Sequence, residues 1–213
     1  MSTETKVSIS GPAGGLDARI ISADSVTGLI MCHPHPLFAG TMDNKVVTTV
    51  VRAARDLGLN TLRFNFRGTG NSTGEHDEGR GEQDDVVAVL RYARDTLGWQ
   101  KVILAGFSFG AGMACLAACR EEALVDALIL LAPAVHHFDA PSTLPFGIET
   151  WVMMGDEDEV VPFDEVDSWV QRLVPQPHWH IFNGAGHFFH GRLNDLKEVL
   201  SGELSGLIAQ PGW

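Results

Sequence analysis

The chain has 213 residues, of which 45% are hydrophobic and 20% charged, a balance typical of a globular protein with a substantial core. Its net charge of −12 disfavours nucleic acid and anionic membrane surfaces as partners, because nothing offsets their phosphate charge. The sequence shows no apolar signal region and no apolar run long enough to span a bilayer, so we expect one domain over residues 1–213, in the cytoplasm.

Strand and helix patterns alternate along the chain. An N-terminal hairpin of strands, 7–9 and 16–21, has the alternation of an antiparallel, partly solvated edge, whereas the later strands are continuous apolar runs. This order predicts an α/β fold, with a mostly parallel twisted sheet covered by helices on both faces. The later strands are expected at 28–32, 61–66, 101–105, 127–131, 150–154 and 179–182, and the helices at 44–57, 82–97, 111–116, 163–173 and along a stripe of Leu193, Leu196, Leu200 and Leu204.

Two features qualify this pattern of elements. Gly202 falls inside the leucine stripe, so we expect the last helix to end or loosen near it. The segment between residues 131 and 151 is too short to hold a large lid domain.

The cysteines are too few for a disulfide framework, and we expect all three to be small buried apolar residues: Cys32, Cys115 and Cys119.

A serine between two glycines is the strongest chemical signal. The run 106–110, Gly-Phe-Ser-Phe-Gly, lies between a buried strand and a helix of small residues. Such a run forces a sharp turn, which strains the serine backbone and pushes its oxygen out at the positive end of the helix. A Cβ at either glycine would collide with the neighbouring strand or helix. We therefore predict that Ser108 is a nucleophile.

An acid and a histidine follow this serine, each just after a predicted strand. Residues 155–162, Gly-Asp-Glu-Asp-Glu-Val-Val-Pro, present carboxylates at the end of one strand. His187 follows the run Gly-Ala-Gly at the end of the next. Serine, acid, histidine is the chain order of the α/β-hydrolases rather than that of chymotrypsin or subtilisin. The order therefore predicts a Ser-His-Asp hydrolase.

Several acids and histidines compete for the two remaining roles. Asp158 is favoured over Asp156 and Asp164 as the partner of the histidine ring, because an apolar Val-Val-Pro run follows it and packs the loop down. The other acids are expected on a solvated face. His187 is favoured over His190, which we expect to start the last helix. Four further histidines are expected at the surface or at a pocket rim: His136, His137, His178 and His180.

The loop over residues 33–36, His-Pro-His-Pro, has three candidate roles. It could complete an oxyanion hole whose first donor is the amide of Phe109. Proline has no N–H, so the second donor would be His35 or Leu37. The His-x-His pair, His33 and His35, could instead contribute to a zinc site, although further ligands do not follow in the sequence. The prolines could also simply stiffen a turn.

The glycine-rich run over residues 67–74 invites comparison with phosphate-binding loops. It lacks the Gly-Lys-Ser/Thr ending of one such loop and the Gly-x-Gly-x-x-Gly spacing of the other. We therefore expect its glycines to serve the conformation of the loop. No cofactor and no metal are expected.

Taken together, these motifs resemble the small, lid-poor branch of the α/β-hydrolase superfamily, close to bacterial carboxylesterase-like and dienelactone hydrolase-like groups. Residues 33–46 are similar to the oxyanion-loop segment of one group of bacterial hydrolases, 65–72 to the Arg-Gly-x-Gly-x-Ser loop, and 155–162 to the Gly-x-x-Asp-x-Val-Val-Pro acid segment. Dienelactone hydrolases proper have a cysteine nucleophile where this chain has serine. The resemblance implies an α/β-hydrolase fold without a large lid and a triad of Ser108, Asp158 and His187.

The expected function is that of a carboxylesterase-like serine hydrolase acting on a small ester or thioester. Without a lid we expect short acyl groups to be preferred, in a shallow site. Two alternatives stay open: a non-catalytic binding module with the same fold, and a metal-dependent hydrolase using His33 and His35. The oligomeric state is not indicated by the sequence. The rim of the site is expected to comprise Leu37, Phe38, Phe109, Phe188 and Phe189.

Overall fold

The computed structural model describes residues 3–213 and contains one eight-stranded sheet. The strands are β1 (Glu4–Gly11), β2 (Gly14–Ile21), β3 (Thr27–Cys32), β4 (Asn60–Phe64), β5 (Lys101–Phe107), β6 (Ala127–Leu131), β7 (Glu149–Gly155) and β8 (His178–Phe182). They lie in the order β1-β2-β4-β3-β5-β6-β7-β8. β2 is antiparallel to both β1 and β4, and the remaining neighbours are parallel. The predicted mostly parallel sheet with antiparallel N-terminal strands is confirmed.

In the part of the chain that the structure describes, five α-helices surround the sheet: α1 (Lys45–Asp56), α2 (Arg80–Arg91), α3 (Phe109–Arg120), α4 (Phe163–Val170) and α5 (Leu193–Ile208). From β3 to β4 the chain moves one way across the sheet, and from β4 onward it moves the other way. Right-handed crossovers therefore place α1 on one face and the next three helices on the other. In agreement, α1 packs against α5, and α2 packs against α3.

The core forms because the central strands are apolar on both faces. Every residue of β3 and of β6 is buried, as expected for parallel strands covered on both sides. The segment from β6 to β7 contains one named element, the short 3-10 turn Val135–His137, so the described residues include no lid domain over the sheet. The carboxyl ends of β3, β5, β7 and β8 consequently open onto loops at one accessible edge.

The structure departs from the predicted elements in a few places. α5 continues through Gly202, so the expected break there is wrong, because Leu196, Leu200 and Leu204 remain fully buried and packing outweighs the propensity of one glycine. The predicted helix 82–97 is α2 followed by a π-helical turn, Tyr92–Thr96. Cys119 is only half-buried, unlike the other two cysteines. Within residues 3–213 no helix is long and apolar enough to cross a membrane.

Candidate active site

Ser108 lies at the tight turn between β5 and α3. Its backbone has φ 56° and ψ −118°, a conformation in which a residue other than glycine is strained. A Cβ at Gly106 would lie 2.2 Å from the carbonyl oxygen of Gly110, and a Cβ at Gly110 would lie 2.4 Å from the carbonyl oxygen of His33. Both glycines are therefore required by the close approach of backbone, as the sequence motif predicts.

The structure brings Ser108, His187 and Asp158 into one chain of hydrogen bonds. His187 Nε2 lies 3.1 Å from Ser108 Oγ, and His187 Nδ1 lies 2.7 Å from Asp158 Oδ2. The side chains of His187 and Asp158 are 2% and 0% exposed. With Nδ1–H donating to the carboxylate, Nε2 is the acceptor that faces the serine hydroxyl. This arrangement can take the serine proton and stabilise the charge that develops on the ring.

Asp158 is held in place by its own loop. Its second oxygen, Oδ1, accepts the backbone N–H of Val160 at 2.9 Å and that of Val161 at 2.7 Å. Asp156 points elsewhere and accepts the N–H of Gly184 at 2.6 Å, while Asp164 is exposed in the first turn of α4. Of the three aspartates considered, only Asp158 contacts the His187 ring among the described residues.

A second acid of this loop, Glu159, contacts the loop that holds His187. Glu159 Oε2 accepts the backbone N–H of His187 at 3.0 Å, and this hydrogen bond holds the pKa of Glu159 below its usual value. A Cβ at Gly186 would lie 2.6 Å from the same oxygen. Asp156 and Glu159 thus both bind this loop through backbone N–H groups, although both residues are solvent-exposed, as expected for the acids other than Asp158. In the sequence, the glycine before His187 is the one local sign of this close approach.

The loop after β3 approaches the amino end of α3. His35 caps a short 3-10 turn, Pro36–Phe38, and its ring Nδ1 accepts the N–H of Leu37 at 3.2 Å. The His35 ring packs on that of Phe109, with centroids 4.8 Å apart. Of the two amides considered as partners of Phe109, that of Leu37 is therefore already engaged by a side chain. Pro36 begins this 3-10 turn, and the loop also lies beside the turn that holds Ser108.

His33 is fully buried and bonded through both ring nitrogens. Nδ1 donates to the carbonyl oxygen of Pro34 at 2.6 Å, and Nε2 accepts the N–H of Phe66 at 3.0 Å. Burial lowers the pKa of this imidazole from 6.5 to about 4. With neither nitrogen available, His33 is a structural link between the loop after β3 and the end of β4. Residues 3–213 contain no group of three or more His, Cys, Asp or Glu side chains arranged to hold a metal ion.

The family follows from comparison with known proteins. A family model described as the alpha/beta hydrolase fold matches residues 35–151, more than half of the chain. The chain belongs to the α/β-hydrolase fold family. The suspected family membership and the predicted fold are thereby confirmed.

Similar proteins cover nearly the whole α/β-hydrolase chain. A structure of an alpha-beta serine hydrolase homologue from Coxiella burnetii is 41% identical, with a TM-score of 0.88, and covers 96% of this chain and 98% of that one. XC6422 from Xanthomonas campestris, an α/β serine hydrolase without a lid, is 34% identical, with a TM-score of 0.88, over 100% and 98%. The uncharacterized protein RP471 of Rickettsia prowazekii (strain Madrid E) is 33% identical over 92% and 87%.

The glycine-rich run over residues 67–74 of this α/β-hydrolase is anchored to the elements around the site. Gly68, Gly70 and Gly74 all have positive φ, which fits the conformational role expected for them. Asn65, just before the run, accepts the N–H of Met42 at 2.9 Å and so ties the loop after β3 to the end of β4. Arg67 pairs with the buried Asp85 at 2.7 Å, which anchors the run to α2.

An open depression of about 690 Å³ lies beside Phe109, the residue that follows Ser108. Leu37, Phe38 and Phe109 line it, as expected for the rim. Phe188 stands exposed against the His187 ring, with centroids 4.9 Å apart. Phe189 does not belong to the rim, because it is fully buried against Phe182 in the core. The complete lining of the depression is His35, Leu37, Phe38, His76, Glu78, Phe109 and His137.

The remaining histidines lie either near the surface, in ion pairs, or in the lining of the depression. His178 pairs with Glu149 and His180 with Glu203, each at 2.9 Å near the surface. His136 and His137 are exposed, and His137 lines the depression. His190 is exposed too, but it precedes α5, which begins at Leu193, so the expectation that it starts that helix was wrong. His76, for which the sequence pattern predicts no role, lines the depression as well.

Proposed function

We propose that this α/β-hydrolase is a serine hydrolase that cleaves small carboxylic esters or thioesters through an acyl-enzyme on Ser108. The observation that carries the proposal is the hydrogen-bonded chain from Ser108 Oγ through His187 to Asp158, at 3.1 and 2.7 Å, on a strained turn. His187 Nε2 takes the hydroxyl proton as Ser108 Oγ attacks the carbonyl carbon, and the leaving group departs with that proton. A water molecule, deprotonated by the same ring, then releases the acid.

The negative oxygen of the tetrahedral intermediate needs two N–H donors. The first is the amide of Phe109, which lies in the first turn of α3, where amides have no partner within the helix. The second is the amide of His35. Supporting this choice over Leu37, the Leu37 N–H already donates to the His35 ring.

A fluorophosphonate probe tests the proposal most directly, because it reacts with an activated serine. We expect labelling at Ser108 in the intact chain, no labelling in Ser108→Ala, and none in His187→Ala. Hydrolysis of nitrophenyl acetate should follow the same pattern, with kcat reduced by several orders of magnitude in each variant. A matched series of thioesters then separates esterase from thioesterase activity.

The two alternatives give different results in the same experiment. A folded chain that neither labels nor hydrolyses a broad panel of esters would point to a binding module. Activity that a chelator abolishes would point to a metal-dependent hydrolase. The bonded state of both His33 nitrogens argues against that second alternative, since a zinc ligand needs a free ring nitrogen.

A further inference from the structure

His76 is a polar side chain in the depression that the proposed mechanism does not use. The ring centroid of His76 lies 5.0 Å from that of His35 and 5.7 Å from that of Phe109, the residue after the nucleophile. His35 packs in turn on Phe38. The wall beside the nucleophile is therefore mostly aromatic, and a ligand there would meet a hydrogen-bonding group at His76.

A buried carboxylate stands behind the His76 ring. Glu82 is 0% exposed, and its two oxygens accept the backbone N–H groups of Asp77 and Gly79, both at 2.9 Å. These bonds fix the carboxylate at the start of α2. Its Oε1 lies 2.8 Å from His76 Nδ1, although the ring N–H is not aligned with it, so the contact is electrostatic rather than a well-formed hydrogen bond.

The position of Glu82 decides which edge of the His76 ring a ligand meets. Nδ1 is buried, whereas the side chain as a whole is 12% exposed and lines the depression. A carboxylate next to Nδ1 favours the tautomer with its proton there, which leaves Nε2 as an acceptor. The exposed edge of the ring therefore presents a hydrogen-bond acceptor to the depression.

We propose that His76 is a specificity-determining residue that accepts a hydrogen bond from a hydroxyl group of the substrate, with Glu82 setting its tautomer. A few convergent polar groups in a mostly apolar site fix the orientation of a ligand in this way. Of the other two histidines that line the depression, His35 is less suited because its Nδ1 is occupied by the N–H of Leu37, and His137 provides the control. The inference rests on the proposed function and deepens it: the substrate class is a hydroxylated ester.

An anionic group is a poorer fit to the same position. The buried Glu82 lies directly behind the ring, Glu78 lines the depression, and the chain carries a net charge of −12. A carboxylate or phosphate brought to His76 would meet this negative charge. A neutral hydroxyl group is not repelled by this charge, and its O–H can donate a hydrogen bond to Nε2.

The test compares esters that differ only in a terminal hydroxyl group. Methyl butyrate and methyl hexanoate are each compared with the same ester carrying the hydroxyl on the acyl chain. Butyl acetate is compared with hydroxybutyl acetate, which places it on the alcohol side. We expect kcat/KM to favour the hydroxylated ester about tenfold in at least one pair, the size of one net hydrogen bond. The preferred pair shows which side of the ester reaches His76.

Three variants separate recognition from general damage. His76→Phe keeps a ring of similar size without the acceptor, and should bring the preference close to one. His76→Gln keeps an acceptor and should retain part of the preference. His137→Phe changes another histidine of the same depression and should leave the preference as it is.

Labelling of Ser108 by the fluorophosphonate probe is measured first in every protein. If the intact chain does not label, the proposed function fails and this inference fails with it. If it labels but shows no preference in any pair, or if His76→Phe keeps the preference, the inference about His76 is overturned while the serine hydrolase stands.

Discussion

The carboxylate of Glu159 accepts the backbone N–H of His187 at 3.0 Å, one residue beyond the aspartate that contacts the ring of the same histidine. Two neighbouring acids of one loop therefore hold one histidine, Asp158 through its ring and Glu159 through its main chain. The backbone N–H of Glu157 adds a third tie to this loop, donating to the carbonyl oxygen of Ala185 at 3.1 Å. The position of the His187 ring relative to Ser108 thus depends on the contacts of Glu159 and Glu157 as well as on Asp158.

Removal of the Glu159 carboxylate should misplace His187 without unfolding the protein. We expect Glu159→Ala to lower kcat about tenfold with little change in KM, because small displacements of a catalytic group cost rate rather than binding. Glu159→Gln keeps an oxygen acceptor and should recover most of the loss. Glu157→Ala is the matched control, since Glu157 ties the loop through its backbone. Equal losses in Glu159→Ala and Glu157→Ala would argue against a specific clamp.

The buried imidazole of His33 should make stability depend on pH. Its folded pKa of about 4 lies below the unfolded value of 6.5, so between these values the unfolded chain takes up a proton that the folded chain excludes. The stability that the neutral His33 ring contributes is complete above pH 6.5 and is lost as the pH falls toward 4. Its full size is about 3 kcal/mol in the free energy of unfolding.

Urea unfolding between pH 7 and pH 4 measures this contribution when the intact chain is compared with His33→Gln, which does not titrate there. The difference in unfolding free energy between the two proteins should shrink as the pH falls. NMR titration of the His33 ring gives its pKa directly and does not depend on the variant folding. Parallel pH curves together with a ring pKa near 6.5 would refute the prediction.

The parts of the site that sequence could predict are those fixed by backbone geometry. Ser108 was recoverable because its turn needs glycine at fixed positions on both sides, and His187 because a glycine-containing loop must follow a strand. The roles of Glu159 and Glu82 were not recoverable. Both carboxylates accept backbone N–H groups, and those contacts depend on how two loops meet rather than on any local pattern.

The same distinction explains the error at Gly202. Helix propensity is local and argues against glycine there, but the burial of three leucines on α5 comes from packing against the rest of the fold. The expectation that Phe189 lies at the rim was wrong for a related reason. Of the two adjacent phenylalanines in this loop, Phe188 is exposed against the His187 ring and Phe189 is buried in the core, and only the fold decides which is which.

Two glycine-to-alanine substitutions should change stability in opposite directions. At Gly202 the new Cβ meets nothing within 4 Å and the helical backbone suits alanine, so we expect Gly202→Ala to raise the free energy of unfolding by about 0.5–1 kcal/mol. At Gly110 the Cβ would meet backbone oxygen at 2.4 Å, so Gly110→Ala should lower it by about 3 kcal/mol. Urea midpoints at constant slope give both values.

The open, lidless site should discriminate acyl chains gradually. Apolar pockets distinguish substrates by only ~1–3 kcal/mol per methylene, and the walls here are partly exposed, with the Phe38 side chain 81% exposed at the rim. We expect kcat/KM for nitrophenyl esters to be highest for acetate or butyrate and to decline in small steps for longer chains. A series in which long acyl esters react faster than these two would contradict this expectation.

Phe38 provides the corresponding variant. Its ring packs on His35 beside the depression, so Phe38→Ala should lower kcat/KM for butyrate several-fold, within ~1–2 kcal/mol, and affect acetate less, because acetate has fewer carbons to contact the wall. Phe146→Ala is the matched control: that side chain is 71% exposed but does not line the depression, so the ratio of butyrate to acetate should stay unchanged. If both substitutions alter the ratio equally, the depression is not where the acyl chain binds.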